Sequence, residues 1–456
     1  MSDRRKVLEL FDRQDSSWKK KAEDGIERYR KGTADLTLMD SQGHPLANTK
    51  VRFRQKTHEF RFGTNLFLLD ELETEEKNDA YKKAVSDVFN MATLPFYWDA
   101  LEPERGNHRY GKESRRVYRR PAPDLCIEFC QKHGIEPREH GLAYEAFFPK
   151  WLYDADVQEI KQELERRYAE ISARYADKIP TIEVTNEMDW ERGKTAFYGE
   201  ADYVEWCFKL AERYFPDNHL SINEGTDRCW KDNGDTTDKY YTYLKENLCK
   251  GARIDAVGMQ FHIFHRRENE YIRTRQLLDP DQLYRHMDLY AGLGKPLQIT
   301  EVTVPAYSRE SEDEQIQADI IERLYSVWFS HPSVEQIIYW NMADGYAHLW
   351  DPDPQKIRAS QGNMSLGENY FYGGLLRFDL SPKPAYFRIK ELIKKRWHTE
   401  EELLTDENGH VRLRGFCGSY EAEIDGKDGC ICFDLSSKSG NNRILTVQQK
   451  IDKRLA

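Results

Sequence analysis

The sequence predicts a (β/α)8 TIM barrel with a small β appendage formed from N-terminal and C-terminal strands. Residues from about 60 to 396 alternate short apolar segments with charged helical ones, and eight strands can be placed among them. The helical segments, such as 156–175, repeat apolar residues at intervals of three and four. Both ends of the chain show period-2 alternation instead. This number of strand–helix repeats is typical of a barrel of parallel strands.

The order of the elements predicts four regions. Residues 1–32 read as a charged amphipathic helix, and 33–59 as a β-hairpin around a Ser-Gln-Gly turn. The barrel is expected at 60–397, and further strands of the appendage at 398–456. Because an isolated hairpin is marginally stable, we expect the terminal strands to share one core.

The eight predicted barrel strands are short apolar segments between helical patterns. They lie at 60–65, 91–98, 138–145, 181–187, 219–225, 255–262, 296–302 and 335–341. In a closed parallel barrel, the carboxyl ends of all eight strands surround one mouth, where active sites of such barrels are built.

Composition and charge narrow the possible partners. The chain of 456 residues is 39% hydrophobic and 32% charged, with a net charge of -11. That charge argues against nucleic acid, whose binding needs clustered Lys and Arg, and no apolar segment is long enough to span a membrane. The basic run from Arg115 to Arg120 is local and is predicted to be solvated. No oligomeric state is predicted.

The N-terminal segment and the cysteines indicate the compartment. The first residues carry charges throughout and lack the apolar core of a secretory signal, so a cytoplasmic protein is expected. The eight cysteines lack the paired spacing of a zinc site or a disulfide framework and are predicted to be free thiols. We expect neither a metal nor a cofactor.

Two strand ends carry glutamates that suit one kind of chemistry. Glu187 closes the apolar segment TIEVTNE, and Glu301 lies near the end of PLQITEV. Glycoside hydrolysis needs one carboxylic acid to protonate the departing oxygen and one carboxylate at the anomeric carbon. Although a single glutamate at a strand end is a common surface feature, two on one rim predict a catalytic pair.

Several motifs resemble glycoside hydrolase family 10, the retaining endo-β-1,4-xylanase family of clan A. The resemblance rests on TNE, GMQFH, ITEV, YWNMADGYAHLW and GGLLRFDLSPKPAY, in this order, and runs from Phe60 to Tyr386. It implies that Glu187 is the general acid/base and Glu301 the nucleophile of a double displacement. The implied substrate is a β-linked carbohydrate.

The same resemblance implies roles for further residues. Asn186 would bind the sugar 2-hydroxyl, while Gln260 and His262 would lie beside the nucleophile. His262 would support Glu301 as a donating or cationic neighbour. The remaining implied substrate-binding residues are His140, Trp340 and Trp350. Taken one at a time, His262 is better explained as a hydrogen-bonded core histidine and Trp340 as barrel packing, and Gln260 is equally explained as a turn cap.

The chain departs from the family pattern where the family binds the glycone, the sugar on the non-reducing side. Tyr97 stands where the family has a lysine, followed by Trp98, and Tyr144-Glu145 replaces a Trp-His pair. These four residues are predicted to line an altered sugar pocket. Changing the donors there changes which hydroxyls are satisfied, so unsubstituted xylan is not expected to be the best substrate. Oligosaccharides or small glycosides fit better.

Two other functions stay open. The altered pocket is also compatible with a non-catalytic carbohydrate-binding protein on a hydrolase scaffold. A metal site involving His262 and His265 is less favoured, because matching ligands are missing on other strands. Asn223 and Glu224, in SINEG, are further candidates for the rim.

Overall fold

The fold is described from a computed structural model that covers residues 3–188, 193–349, 362–425, 429–437 and 442–446. The chain divides into two compact units. The barrel unit comprises Met1–Trp18, Phe62–Trp328 and Ser333–Arg388, and the β unit comprises Lys19–Arg61, Phe329–Pro332 and Ile389–Ala456. The predicted boundaries at 60 and 397 lie close to these divisions.

Eight parallel strands close the barrel in chain order, with the last beside the first. The strands are β3 (Arg61–Asn65), β4 (Met91–Pro95), β5 (Glu136–Ala143), β6 (Thr181–Asn186), β7 (His219–Glu224), β8 (Ala256–His262), β9 (Leu297–Thr303) and β10 (Val334–Tyr339). Each overlaps one of the eight predicted strands, so the predicted fold class is confirmed. Their residues are almost all buried, which explains why the segments read as continuous apolar runs.

Helices follow the strands as the amphipathic pattern predicts. They are α1 (Glu9–Arg13), α2 (Asp15–Tyr29), α3 (Glu75–Ser86), α4 (Trp98–Leu101), α5 (Pro123–His133), α6 (Val157–Tyr175), α7 (Tyr203–Tyr214), α8 (Thr226–Trp230), α9 (Lys239–Cys249), α10 (Glu270–Arg273), α11 (Pro280–Ala291), α12 (Ser311–Ser330) and α13 (Pro384–Glu391). Their ends have recognisable signals. Asp156 caps α6 by accepting bonds from two backbone N–H groups, and α5 ends at Gly134, whose φ is 63°.

The β unit contains two small sheets that share one core. Its strands are β1 (Lys31–Met39), β2 (Lys50–Gln55), β11 (Glu400–Leu404), β12 (His410–Phe416), β13 (Gly418–Ile424), β14 (Cys430–Leu435) and β15 (Arg443–Thr446). The sheet orders are β12-β1-β15 and β11-β2-β13-β14. Buried residues from both termini, including Phe53 and Phe433, form a single cluster. N-terminal and C-terminal strands therefore build the appendage, as predicted.

The predicted hairpin at 33–59 is wrong in its pairing. The chain does reverse after β1, where the Asp40 carboxylate accepts backbone bonds from Gln42 and His44, and Met39 bridges Pro45. However, β1 pairs with β12 and β15, whereas β2 pairs with β11 and β13. Period-2 alternation shows which side chains face a core but not which strand lies alongside. The pattern therefore could not reveal that β1 and β2 belong to different sheets.

The predicted N-terminal helix at 1–32 is divided in the structure. A 3-10 segment at Asp3–Leu8 precedes α1 and α2, and β1 already begins at Lys31. Among the described residues, no helix is long and apolar enough to cross a membrane. The eight cysteines are free thiols.

Candidate active site

Glu187 follows β6 directly and has an unusual backbone conformation. Its φ is 50°, in the left-handed region that non-glycine residues seldom adopt. Its backbone N–H donates to the carbonyl of Asn223 on β7, at 3.1 Å. Such a conformation costs about 1 kcal/mol or more and persists where the surroundings enforce it, often at functional sites.

Two donors hold the Glu187 carboxylate. The Tyr144 hydroxyl donates to Oε2 at 2.6 Å, and Gln260 Nε2 donates to Oε1 at 2.9 Å. Gln260 also bonds Asn186 Oδ1 at 3.2 Å. Burial and the neighbouring Glu187 carboxylate raise the pKa of Tyr144, so its hydroxyl stays protonated and able to donate.

Glu301 lies on β9 and is 4% exposed. Asn223 Nδ2 donates to its Oε1 at 2.9 Å, and His262 Nε2 lies 3.2 Å from its Oε2. Burial raises the pKa of Glu301 to about 8; His140 opposes this shift, while Glu183 and Glu187 add to it. Glu187 and Glu301 therefore influence one another electrostatically across the mouth.

His262 acts on Glu301 as a neutral donor. Burial lowers the pKa of His262 to about 4, so the imidazole is uncharged near neutral pH. Its Nδ1 lies 3.0 Å from the Thr303 hydroxyl, which can donate to that nitrogen and leave the Nε2 proton for Glu301. The ring stacks on Phe264 at 4.6 Å between centroids. Of the two expected forms of support, donation fits these surroundings and a positive charge does not.

Asn223 is a site residue whose contact the sequence reasoning did not identify. The Thr300 hydroxyl donates to Asn223 Oδ1 at 2.6 Å, which orients the amide nitrogen toward Glu301. Gly258 on the neighbouring strand makes room for it, since a Cβ there would lie 2.6 Å from Asn223 Oδ1. The available sequence signal was its position, because Asn223-Glu224 closes one predicted strand as Asn186-Glu187 closes another. The structure pairs Asn223 with Asn186 across β6 and β7.

Glu224 supports the segment after Glu187. Its Oε2 accepts from the backbone N–H of Met188 at 2.9 Å, and its Oε1 accepts from Gly225 N–H at 2.7 Å. Glu224, a candidate for the rim in the sequence, therefore binds the backbone of two segments, the one after β6 and the one after β7.

An aromatic cluster borders the glutamates. Phe67, Tyr97, Ala100 and Trp340 form its buried part, with Val117, Tyr144 and Phe147 against it. The Tyr97 hydroxyl lies 2.9 Å from His140 Nε2, and His140 Nδ1 lies 2.6 Å from Glu183 Oε1. Trp340 contacts His140 edge to face at 5.3 Å between centroids. The structure thus brings His140, Tyr97, Tyr144 and Trp340 together beside Glu187.

Two predicted sugar-binding residues have other contacts. Trp98 is 1% exposed, and its indole N–H donates to Glu102 at 2.8 Å, so its ring is enclosed by protein. The Glu145 carboxylate accepts from the backbone N–H groups of Lys194 and Thr195 at 2.6 and 2.7 Å. Glu145 thus holds the backbone at Lys194 and Thr195 in place. Trp350 lies outside the described residues.

The basic run at 115–120 is solvated only in its first half. Arg115 and Arg116 are exposed, whereas Arg119 and Arg120 are buried beside the aromatic cluster. The guanidinium of Arg120 covers the Tyr97 ring, 3.6 Å from its centroid, and this contact offsets part of the cost of enclosing the charge.

The proposed metal ligands do not converge in the described part of the chain. No group of three His, Cys, Asp or Glu side chains there could hold a metal ion. His265 Nε2 instead lies 3.0 Å from the Lys231 ammonium.

Comparison with known proteins identifies relatives of this barrel. The sequence model described as glycosyl hydrolase family 10 matches residues 56–392. The anti-sigma-I factor RsgI6 of Acetivibrio thermocellus is 25% identical over 89% of this chain and 46% of its own length. Endo-1,4-beta-xylanase 2 of Arabidopsis thaliana is 24% identical over 87% of this chain and 32% of its own length. The chain therefore spans less than half of these two relatives.

Other relatives match over nearly their full length. Endo-1,4-beta-xylanase B of Thermotoga neapolitana is 24% identical over 74% of this chain and 88% of its own. The crystal structure of native xylanase 10B from Thermotoga maritima has a TM-score of 0.57 at 20% identity, covering 74% of this chain and 96% of that one. The structural likeness supports the barrel fold, and the family match over most of the chain confirms the resemblance seen in the motifs. The chain belongs to glycosyl hydrolase family 10.

Proposed function

We propose that the protein is a retaining β-glycoside hydrolase, with Glu187 as general acid/base and Glu301 as nucleophile. The observation that carries this proposal is the pair of carboxylates at the ends of β6 and β9, each held by two hydrogen-bonding side chains. Family membership supports it, as do the relatives named endo-1,4-beta-xylanases.

In the first step, a Glu301 oxygen attacks the anomeric carbon while the bond to the leaving oxygen breaks. Glu187 transfers its proton to that oxygen, so the aglycone leaves as a neutral alcohol and a glycosyl ester remains on Glu301. In the second step, Glu187 accepts a proton from water as the water oxygen attacks the same carbon. Glu301 is released as a carboxylate, and configuration is retained.

The surrounding amides and hydroxyls position these two groups. Gln260 links Asn186 to Glu187, so a sugar hydroxyl bound by Asn186 would be placed relative to the proton donor. Asn223 and His262 orient the Glu301 carboxylate, which reduces the reorganisation needed for attack.

Plain xylan is not proposed as the preferred substrate. The Tyr97 side chain is buried and its hydroxyl contacts His140, while the Tyr144 hydroxyl is used by Glu187. Neither tyrosine can replace the donor that the family's lysine would offer to a sugar. A β-linked oligosaccharide or small glycoside with different groups at this position fits the pocket better.

The test is hydrolysis of aryl β-glycosides: xyloside, xylobioside, glucoside, cellobioside and arabinoside. Turnover of any member should fall by at least about a thousandfold in Glu301→Ala and be unaffected in Glu200→Ala, an exposed glutamate used as control. Product analysis by NMR should show retained configuration. Turnover that survives in Glu301→Ala would contradict the assigned nucleophile, and xylan hydrolysed faster than every alternative would contradict the substrate proposal.

A second candidate function is non-catalytic carbohydrate binding. The observation behind it is the likeness, at 25% identity over 89% of this chain, to a protein that is named anti-sigma-I factor and not hydrolase. If this function is correct, calorimetry should detect binding of xylo-oligosaccharides that remain intact after prolonged incubation. Glu301→Gln should then bind them as tightly as the wild type does.

A further inference from the structure

We propose that Arg119 and Arg120 bind an acidic group of the substrate, so that the substrate class is an acidic glycoside whose sugar carries a carboxylate. This inference rests on the proposed function and adds a specificity determinant to it. It concerns the loop between α4 and α5, outside the pair of glutamates and their hydrogen-bonding partners.

Both guanidinium groups are buried and lack a counter-ion in the described structure. Arg119 is 3% exposed and Arg120 is 8% exposed, and neither forms an ion pair with a described carboxylate. Arg119 donates one bond to the carbonyl of Tyr346 at 2.8 Å, while its Nε is buried without a hydrogen-bond partner. Arg120 donates to the carbonyl of Arg119 at 3.0 Å. Most of the donors of the two arginines therefore remain available.

Enclosing two adjacent cations without an anion is unfavourable. Buried charges in proteins are normally paired, because desolvation costs several kcal/mol per ion. Burial lowers the pKa of Arg120; Tyr97 and Asp99 oppose this shift, and Arg119 adds to it. Asp99 is exposed and forms no ion pair with Arg120 among the described contacts, although the charge of Arg120 lowers the pKa of Asp99 against the effect of burial. Burial also lowers the pKa of His348 to about 3, and the charges of Arg120 and Arg119 lower it further.

The arginine pair lies close to the proposed reaction centre. The guanidinium of Arg120 covers the Tyr97 ring, and the Tyr97 ring lies 6.1 Å from that of Tyr144, whose hydroxyl binds Glu187. Arg119 and Arg120 both lie over Phe67, at 5.3 and 5.4 Å from its centroid. The two cations are therefore linked to the tyrosine that holds Glu187 through the Tyr97 ring, and the proposal requires a sugar substituent to extend past that ring to meet them.

A carboxylate is the group that best matches these donors. A guanidinium is planar and presents parallel N–H groups that bind both oxygens of a carboxylate at once. A neutral hydroxymethyl group would leave the cations unpaired. Because Tyr97 stands where the family has a lysine, a cationic function beside the aromatic cluster is left to Arg119 and Arg120.

The catalytic test compares two nitrophenyl β-glycosides, the glucuronide and the glucoside, which differ by a carboxylate in place of hydroxymethyl. The wild type should favour the glucuronide, and Arg119→Gln or Arg120→Gln should lower kcat/KM for it at least tenfold, mainly through KM, while the glucoside rate changes little. Arg116→Gln, an exposed arginine of the same loop, is the matched control and should keep the wild-type preference. Equal losses on both substrates would overturn the proposal.

A binding test on the wild type depends neither on catalysis nor on stable variants. Sodium glucuronate should raise the Tm of the wild type, whereas glucose and, at equal ionic strength, sodium sulfate should not. If sulfate protects the protein and glucuronate does not, the subsite does not recognise a carboxylate. If neither protects it, the proposal of an acidic subsite is wrong. If neutral glycosides are turned over and the glucuronide is not, this inference is wrong while the hydrolase proposal stands. If glucuronate protects the wild type but not the arginine variants, and no glycoside is turned over, the acidic subsite stands and the hydrolase proposal fails.

Discussion

Individual side chains in this site differ in what they do for the two glutamates. Glu187 is reached by two uncharged donors, Tyr144 and Gln260, at the end of a strand. Glu301 lies within β9 and is buried. Asn223 donates a hydrogen bond to its carboxylate, and His262 lies within hydrogen-bonding distance of it. Because no cation among the described residues contacts Glu301 directly, burial dominates and raises its pKa to about 8. Two chemically identical residues thus acquire different properties from their surroundings.

The raised pKa of Glu301 predicts the acid limb of activity. The nucleophile must be ionised in the free enzyme, and Glu301 gains its proton as the pH falls through about 8. We therefore expect kcat/KM to fall as the pH decreases below about 8. An aryl glycoside with an activated leaving group should be used, since it needs little help from the acid. A plateau that extends down to about pH 5 would contradict this prediction.

The same pKa predicts a pH-dependent effect on stability. Between 4.5, its ordinary value, and about 8, native Glu301 holds a proton that the unfolded chain has lost, so stability decreases as the pH rises through this window. Glu301→Gln removes that dependence. Its Tm should exceed the wild-type Tm by roughly 2 °C or more at alkaline pH and match it at acidic pH. Equal Tm values across the range would count against a protonated, buried Glu301.

Asn223 is expected to contribute to kcat through its hydrogen bond to Glu301. Asn223→Ala removes the donor to Oε1 and should lower kcat about 100-fold, with a smaller change in KM. The matched control is Asn247→Ala, a buried asparagine of α9 that bonds the Tyr243 carbonyl. Steady-state kinetics of both variants would check the effect. Similar kcat values in the two variants would show that the loss is one of stability alone.

At the scale of elements, β8 connects the two halves of the site. Gln260 reaches Glu187 and His262 reaches Glu301, and both residues lie on that one strand. Since side chains alternate along a strand, residues two apart face the same side of the barrel. The spacing Gln-x-His therefore serves both carboxylates from one rigid element.

The loop after β6 depends on a carboxylate from another element. Glu145 accepts bonds from Lys194 and Thr195 N–H, which precede a short 3-10 segment at Ala196–Gly199. Glu145→Ala would remove the acceptor of both donors, of which Thr195 N–H is buried, and should lower the free energy of unfolding by about 1–3 kcal/mol. Sugar preference should not change. Urea unfolding with kinetics on two glycosides checks both points, and an altered sugar preference at unchanged stability would support the role first predicted for Glu145.

At the scale of the whole molecule, the chain builds two cores. The barrel unit contains Glu187, Glu301 and their partners, and the β unit has its own cluster around Phe53 and Phe433. Those two rings meet edge to face at 6.1 Å between centroids. A core of this kind contributes to stability without supplying any group to the proposed chemistry.

Phe53→Ala tests that separation. The ring is fully buried, so its loss should lower the free energy of unfolding by about 3–5 kcal/mol. The folded fraction should keep the wild-type kcat, which can be measured after active-site titration. The exposed Phe387 provides a control, since Phe387→Ala should change stability little. A reduced kcat in folded Phe53→Ala would show that the β unit contributes to catalysis.

The sequence alone determined the barrel and its eight strands, and it placed two glutamates at the carboxyl-terminal parts of two of those strands. Each of these leaves a local signal, because strand and helix periods and strand-end positions are properties of short segments. The position of Glu187 after TIEVTN and of Glu301 within LQITEV follows directly from such segments. The resemblance in the motifs, confirmed by the family match, came from the same short stretches.

Only the tertiary structure decided which residues meet. The contact of Asn223 with Glu301, the loop-holding role of Glu145, the enclosure of Trp98 and the exchange of β1 and β2 between sheets all join residues distant in the chain. The burial of Arg119 and Arg120, within a run that reads as solvated, belongs with them. Burial, pairing and pKa depend on neighbours brought together by folding, and a local pattern contains no information about those neighbours.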